Sequence, residues 1–358
     1  MKKERIVVAM SGGVDSSTAA ALLKEEGYDV VGVGMQIWDY SKGEGDTSGT
    51  CCSSTDVMDA RKVAERLKIP FYLLNCEEEF EKEVIDYFVS EYFKGRTPNP
   101  CILCNQKMKF DYLLRRAKEF EAKKIATGHY AFIEEDEDRY VLKRGRDRDK
   151  DQSYFLFNLS QEQLSSIILP VGGYTKKEIR GLAKKYKLGV AEKEESQEIC
   201  FVTDNDYERF IKERFPEKID MKKGDIVLKD GTVLGQHKGT PFYTIGQRRG
   251  LGVAYKNPLY VVGIDVEKNR IIVGGNSDLL KKEFIVDQVN WNISAEEGTA
   301  VQGEVQIRYR HKAAKAEIFP ADKNSAKVIF NDAQRAVTPG QAAVFYKKDV
   351  VIGGGWIK

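Results

Sequence analysis

The sequence predicts an α/β protein: an N-terminal doubly wound parallel sheet, then a small mixed module, then an antiparallel β-barrel. Three observations predict it. Short apolar runs alternate with helical stretches over the first 130 residues. After about residue 203 the chain becomes Gly-rich and hairpin-like. From about residue 281 short alternating segments are separated by turn residues. A length of 358 residues suits two or three domains. The expected boundaries are 1–203, 204–280 and 281–358.

Arg5 to Met10 reads as a buried strand and Ser16 to Glu26 as an Ala- and Leu-rich helix ended by Gly27. Asp29 to Ile37 is a second strand, Thr55 to Leu67 an amphipathic helix stopped near Pro70, and Phe71 to Leu74 a third strand. Glu78 to Gly95 reads as a helix and Lys124 to Gly128 as a short strand. Strands separated by helices imply a parallel sheet covered on both faces, with ligands at the strands' C-terminal ends. Asp204 to Pro216 reads as a surface helix. Ala300–Tyr309, Lys315–Phe319, Ala326–Phe330, Ala342–Tyr346 and Val350–Ile352 read as barrel strands.

The composition is that of a globular chain, and no apolar run approaches the 18 or so residues of a membrane span. The brief apolar run Ile6 to Met10 is no secretory signal, so the cytosol is the expected compartment. A net charge of +2 is neutral on nucleic-acid binding, which needs only clustered basic residues. Six cysteines in so long a chain do not suggest a disulfide framework. Cys76 reads as a buried hydrophobe, whereas the spacing Cys101-x-x-Cys104 asks for redox, metal or catalytic chemistry.

Ser11-Gly12-Gly13-Val14-Asp15-Ser16-Ser17 follows the first strand and opens the first helix. The glycines let a ligand approach the backbone, and unpaired N–H groups at a helix start attract phosphate. The serines add donors, and Asp15 would hold Mg²⁺ or orient the loop. The Gly-Lys-Ser/Thr ending of a Walker A loop is missing. The loop resembles that of the pyrophosphatase-loop enzymes, which split ATP to AMP and pyrophosphate while adenylating an acceptor. That resemblance implies ATP use but leaves the acceptor open.

In Arg96-Thr97-Pro98-Asn99-Pro100-Cys101-Ile102-Leu103-Cys104-Asn105, Asn99 suits a helix cap and Pro100 the first helical position. Cys101 then lies in the first turn, where the helix N-terminus lowers a thiol pKa, with Cys104 one turn on along the same face. A zinc site would need two more ligands, and no second Cys-x-x-Cys is present. Glu195-Ser196-Gln197-Glu198-Ile199-Cys200-Phe201 holds an isolated cysteine that spacing alone would leave structural.

Together with Ala126-Thr127-Gly128-His129-Tyr130-Ala131, Lys150-Asp151-Gln152-Ser153-Tyr154-Phe155, Thr244 to Gly252 and Arg308-Tyr309-Arg310, these segments resemble the tRNA-specific 2-thiouridylase family. They occur in the family's order and cover nearly the whole chain. The resemblance implies that ATP adenylates C2 of the wobble uridine (U34) in tRNAs such as the Lys, Glu and Gln acceptors. Cys200, loaded as a persulfide by a cysteine desulfurase or sulfur relay protein, then supplies sulfur to C2. Cys104 forms a transient disulfide with Cys200 as 2-thiouridine is released. Ala9, Met10, Ser11, Gly12, Gly13, Val14, Asp15, Ser16, Met35 and Gly128 would frame the ATP. Asn99, Pro100 and Cys101 would face the target base. His129, Lys150, Asp151, Gln152, Arg308, Tyr309 and Gln341 would meet the tRNA.

Some family members carry Asp where this chain has Cys101. Cys101, Cys104 and Cys200 would alternatively ligate an iron–sulfur cluster that carries sulfur. The residues leave the persulfide and cluster routes open. Lys143 to Gln152 also reads as a solvated charged loop, and Arg308 to Lys312 as a charge-guarded edge strand. An amide-forming ligase on the same loop, or a non-catalytic RNA-binding protein, are the other readings.

Overall fold

The computed structural model describes residues 3–38, 54–194, 199–202, 206–216 and 223–358. Cys51, Cys52 and the stretch Glu195 to Glu198 lie outside the described residues. The chain forms two compact units, and each takes chain from more than one region. The first comprises Met1–Val84, Cys101–Asn205 and Asp349–Val351; the second Ile85–Pro100, Asp206–Lys348 and Ile352–Lys358.

The first unit is built on a five-stranded sheet. Its strands are β1 (Arg5–Ala9), β2 (Asp29–Gln36), β3 (Phe71–Asn75), β4 (Lys124–Ala126) and β7 (Ile167–Ile168). A hairpin of β5 (Ala131–Asp136) and β6 (Arg139–Arg144) lies between β4 and β7 in sequence. The sheet order is β3-β2-β1-β4-β7, and every pairing is parallel. Ile6, Val7 and Val8 of β1 are fully buried, as a central strand covered on both faces requires. Helix α1 (Val14–Glu25) is apolar on nearly every side, and Val14 and Ser16 through Leu23 are all buried. A helix of that composition belongs inside a layered core rather than on its surface. The strand order turns back between β1 and β4. In an open parallel sheet, ligands bind at the C-terminal ends of the strands flanking such a reversal. The loop after β1 and Gly128 after β4 occupy those two ends.

Helix α2 (Ser54–Leu67) follows. The helix expected over Glu78–Gly95 is present but irregular. Glu77–Phe80 and Asp86–Phe93 are α-helical, and Glu81–Ile85 between them is a π-helical turn.

The second unit contains two sheets. In the first, β8 (Gly224–Leu228), β9 (Val233–His237), β10 (Tyr260–Asp265) and β11 (Arg270–Gly274) run in the order β10-β11-β8-β9. The β11–β8 pairing is parallel and the others antiparallel, so the module is mixed, as expected. Its helix Tyr207–Arg214 stacks Tyr207 on Tyr92, with ring centroids 4.7 Å apart. The second sheet comprises β12 (Leu280–Trp291), β13 (Val301–Gln306), β14 (Ala314–Asp322), β15 (Ser325–Arg335), β16 (Ala342–Lys347) and β17 (Val350–Ile357). Its order is β12-β15-β14-β13-β16-β17, and β12 also pairs with β17, closing a barrel. Ala326, Val328 and Phe330 point inward at every second residue of β15, which is the period of a strand with one buried face.

Candidate active site

Residues 10–13 link β1 to α1, and the glycines there have separate reasons. Gly12 sits at φ +73°, and a β-carbon there would fall 2.1 Å from the Asp56 carbonyl oxygen in the first turn of α2. Gly128 is needed from the other side: a β-carbon would lie 2.5 Å from the Ser16 amide nitrogen and 2.6 Å from the Asp15 carbonyl carbon. The first turn of α1 and the residue after β4 therefore meet at backbone contact, with no room for a side chain. The Ser16 hydroxyl accepts from the Ser11 N–H at 3.2 Å and donates to the Gly13 carbonyl at 3.3 Å. Ser16 and Ser17 are buried and Ser11 is exposed; the Ser16 hydroxyl shapes the loop, while the buried Ser17 hydroxyl has no hydrogen-bond partner. Ala9 and Gly13 are half-buried; Met10 and Val14 are core residues, as is Met35 near the end of β2.

Asp15 shows a partner that sequence reading missed. Its carboxylate accepts from Lys176 Nζ at 2.8 and 2.7 Å and from the Tyr130 hydroxyl at 2.7 Å. Of the two roles expected for Asp15, the structure engages it in orienting the loop. Thr175 and Glu178 form a capping box that starts the helix Lys176–Lys185 and fixes where Lys176 stands. That box is legible in Thr175-Lys176-Lys177-Glu178. The reach of Lys176 to a residue 161 positions earlier is not.

A second clamp holds the chain at Ala191 and Lys193. Lys193 Nζ donates to Asp56 at 2.6 Å and to Asp59 at 2.5 Å. Arg180 donates to the carbonyls of Ala191 and Lys193 at 2.7 and 3.0 Å. Asp56 thus lies against Gly12 through its carbonyl and holds Lys193 through its carboxylate. Cys200 itself is half-buried, next to Phe201, whose ring packs edge-on against Phe80.

Cys101 lies in the first turn of Pro100–Leu103, as expected, and is exposed. From Cys104 to Tyr112 the helix widens to a π-helix. Cys104 is half-buried and Asn105 buried, so the two thiols differ in environment rather than sharing one ordinary helical face. π-turns recur at functional sites, because the widened turn re-aims side chains. Cys101, Cys104 and Cys200 are thiols, not disulfides. Among the described residues no three His, Cys, Asp or Glu side chains gather as a metal site. Cys76 is fully buried, and burial pushes its thiol up to about 12, which leaves it inert at neutral pH.

His129 is buried, hydrogen-bonded to the Thr127 hydroxyl at 2.7 Å and packed against Phe110. Burial, and secondarily the Lys109 charge, hold its pKa well below the ordinary histidine value. It is a neutral ring, not a cation for phosphate. Its folded pKa is depressed, so its contribution is full above the unfolded pKa of about 6.5 and is lost as pH falls. Stability is therefore expected to drop by up to about 1.4 kcal/mol per pH unit below that point through this residue alone. Urea unfolding at pH 7 and pH 5.5 checks this: His129→Gln should show a smaller pH loss than wild type.

The charged loop is ordered by Asp151, which is buried. It accepts from the Gly145 N–H at 3.0 Å, the Ser153 N–H at 3.1 Å, the Ser153 hydroxyl at 2.9 Å and Arg144 at 3.4 Å. Gln152 accepts from the Tyr130 N–H at 3.0 Å. These two side chains shape the loop, while Lys150 is half-buried and Arg148 and Asp149 are exposed.

In the second unit, Gln341 donates to the Thr97 carbonyl at 2.8 Å, and the Thr97 N–H donates to Pro339 at 2.8 Å. Gly340, at φ +88°, would place a β-carbon 2.9 Å from the Thr97 nitrogen. The barrel's 339–341 turn thus grips the strand of chain that carries Asn99 and Pro100. Arg308 donates to the Arg335 carbonyl at 3.0 Å, and Gln306 donates to the Tyr309 carbonyl at 2.7 Å. Arg310 and Lys312 are exposed on that pinned turn.

Residues 4–204 match the family described as tRNA methyl transferase HUP domain, residues 208–275 the tRNA methyl transferase PRC-barrel domain, and residues 281–357 the aminomethyltransferase beta-barrel domain. The tRNA-specific 2-thiouridylase MnmA of Geotalea uraniireducens is 54% identical over 361 residues, covering 100% of this chain and 96% of that protein. The chain belongs to the tRNA-specific 2-thiouridylase family. The MnmA of Clostridium perfringens, 50% identical over 359 residues, covers 100% of this thiouridylase-family chain and 99% of its own. A solved 4-thiouridine synthetase–RNA complex with bound ATP aligns with 60% of this chain and 51% of its own, at 18% identity. Its TM-score of 0.37 is too low to carry an argument. Among the described residues of this thiouridylase-family enzyme, no helix is long and apolar enough to cross a membrane.

Proposed function

We propose that the chain is an ATP-dependent tRNA uridine 2-sulfurtransferase acting at the wobble position. The observation that carries this reading is a phosphate-ready loop at the sheet's reversal point in the same compact unit as Cys104 and Cys200. Half-identity to named 2-thiouridylases along the full chain supports the choice of acceptor. The domain descriptions speak of methyl transfer, but they describe parts, and the full-length relatives outweigh them. The three matched ranges also favour the three-domain division at about residues 203 and 280.

A uridine carbonyl oxygen leaves poorly, and joining it to AMP makes it a good leaving group. In the proposed first step the C2 oxygen bonds to the α-phosphorus of ATP and pyrophosphate departs with its electron pair. The N3 proton passes to solvent. The terminal sulfur of a Cys200 persulfide then attacks C2, and AMP leaves with the oxygen. The Cys104 thiolate attacks the Cys200 sulfur, breaking the S–S bond and releasing thiouridine. A Cys104–Cys200 disulfide remains, and a thiol reductant restores both thiols. A persulfide-carrying donor protein reloads Cys200. Both thiols are half-buried yet reachable, unlike Cys76. Sulfur chemistry of this kind suits the reducing cytosol.

The loop fits ATP on its backbone contacts. The engagement of Asp15 by Lys176 and Tyr130 gives Mg²⁺ no evident place on that carboxylate, and no step is assigned to it. The tRNA-facing groups proposed are Cys101, Lys150 and the Arg308–Lys312 turn. Asn99 and Pro100 would meet the base, with Gln341 holding their segment; Asp151, Gln152 and His129 act by shaping their surroundings.

Purified protein with ATP, a persulfide donor and unmodified wobble-uridine tRNA should yield 2-thiouridine on nucleoside mass analysis. AMP without thiouridine would move the reading to an amide-forming ligase, which leaves Cys104 and Cys200 without a task.

A further inference from the structure

We propose that Tyr130 is a positioning residue of the adenylation step, tying the phosphate loop at Asp15 to the loop of Lys150 to Gln152. This rests on the readings that the first loop binds ATP and the second meets tRNA. Tyr130 is 2% exposed, and its ring lies in the same apolar core as Val14 and Ala19 of α1. Filling that space needs only a phenyl ring. The hydroxyl reaches beyond it and donates to the Asp15 carboxylate at 2.7 Å. A hydrogen bond to an ionised acceptor is roughly twice as strong as one between neutral groups.

The backbone of Tyr130 is held as closely as its hydroxyl, and by the other loop. Its N–H donates to the Gln152 side-chain oxygen at 3.0 Å, and its carbonyl accepts from the Gln152 N–H at 2.9 Å. Gly145 packs on the same peptide, where a β-carbon would lie 2.7 Å from the Tyr130 carbonyl oxygen. Asp151 closes the turn between Gly145 and Gln152 by accepting from the Gly145 N–H at 3.0 Å. Asp15 lies 115 positions before Tyr130 and Gln152 lies 22 after it, so one buried residue stands between two loops distant in sequence. Two residues before Tyr130, Gly128 touches the backbone of Asp15 and Ser16, so the phosphate loop meets this segment twice.

Close-packed interiors transmit displacement instead of absorbing it. A shift of the 145–152 turn on meeting RNA therefore passes through the Tyr130 peptide and ring to its hydroxyl, and so to the carboxylate in the first turn of α1. A small misplacement of reacting groups costs much of the rate, because in-line geometry is lost. Lys176 holds the same carboxylate from another helix. Removing the tyrosine hydroxyl leaves Asp15 paired and breaks only its tie to the 145–152 turn.

The test compares wild type, Tyr130→Phe, Gln152→Leu and the double variant in tRNA-dependent AMP formation at saturating tRNA and ATP. The KM for ATP, the tRNA binding of Tyr130→Phe and the persulfide loading of Cys200 are measured alongside. Tyr130→Phe keeps the ring and is expected to lower kcat about tenfold, the scale of one lost charge-assisted hydrogen bond. Its KM for ATP, tRNA binding and persulfide loading should stay within about threefold, because the hydroxyl aims the loop and grips no ligand. Gln152→Leu should lower kcat about threefold, since its backbone bond to Tyr130 remains. The double variant should stay within about twofold of Tyr130→Phe alone, since both changes cut one tie. Falls that multiply, to about thirtyfold, would show Gln152 acting apart from Tyr130 and overturn the proposal. So would an unchanged kcat in Tyr130→Phe, a change confined to the KM for ATP, or an equal fall in persulfide loading, which marks a general loss of fold. Wild type that forms no tRNA-dependent AMP would instead overturn the adenylation reading, and this role with it.

Discussion

Cys200→Ser is expected to abolish 2-thiouridine, by about a thousandfold or more, while tRNA-dependent AMP formation continues. Losing the nucleophile of a covalent route commonly costs that much or more. AMP should persist because the phosphate loop does not depend on the thiol. The intermediate simply has no sulfur to receive and is hydrolysed. Cys104→Ser should fail differently. Sulfur reaches C2 but nothing cuts the S–S bond, so tRNA accumulates as a covalent adduct on Cys200 that reductant releases. A denaturing gel with and without reductant reads this directly. Thiouridine from Cys200→Ser would sink the assignment of the sulfur carrier. Wild type freed of iron should remain active with a persulfide donor, because the proposed persulfide route draws on Cys200 and Cys104 alone.

Gly12→Ala is expected to remove ATP turnover and to lower stability. The φ of +73° costs a non-glycine residue roughly 1–3 kcal/mol. The new methyl would also overlap backbone atoms of Asp56 at 2.1 to 2.8 Å, so α2 or the loop has to shift. The disturbance does not stop there. Asp56 is one of two carboxylates that hold Lys193, and Lys193 starts the approach to Cys200. The variant should therefore lose AMP formation by about 100-fold or more and also load persulfide poorly, since one misplaced contact shell disturbs both steps. Gly13→Ala is the control. Gly13 has φ −87°, and its added methyl would meet only the Ser11 hydroxyl at 3.5 Å. It should keep wild-type stability in thermal unfolding. Equal stability loss in both variants would contradict this account of the loop.

The parts of the fold legible in the sequence are those governed by local rules. The apolar runs of β1 and β2 are continuous because both faces are covered, and the Ser-Gly-Gly loop between a strand and a helix follows from backbone chemistry. The barrel's alternation was visible as well. Other features had weak local signals. The β5–β6 hairpin alternates poorly and carries charge on Glu134, Glu135 and Asp136, so the sequence marks no strand there. Strand β12 is long but has Lys281, Lys282 and Glu283 exposed at its start. The π-helical widening at Cys104 to Tyr112 depends on tertiary packing, which helix propensity does not encode. The candidate site divides the same way. Its loop and cysteines stand out by residue type. Asp151, read as an RNA contact, is consumed by four hydrogen bonds that only the folded loop reveals. Lys176 and Lys193 look like ordinary surface lysines until the fold brings Asp15 and Asp56 to them.

On the proposed route the C2 oxygen of uridine leaves as part of AMP. This is tested most directly with tRNA carrying ¹⁸O at C2 of the wobble uridine, in a single turnover with ATP and persulfide-loaded protein. The account predicts thiouridine in the tRNA and one ¹⁸O in the phosphate of the AMP formed. Thiouridine with unlabelled AMP, the label appearing in water instead, would contradict adenylation of the carbonyl.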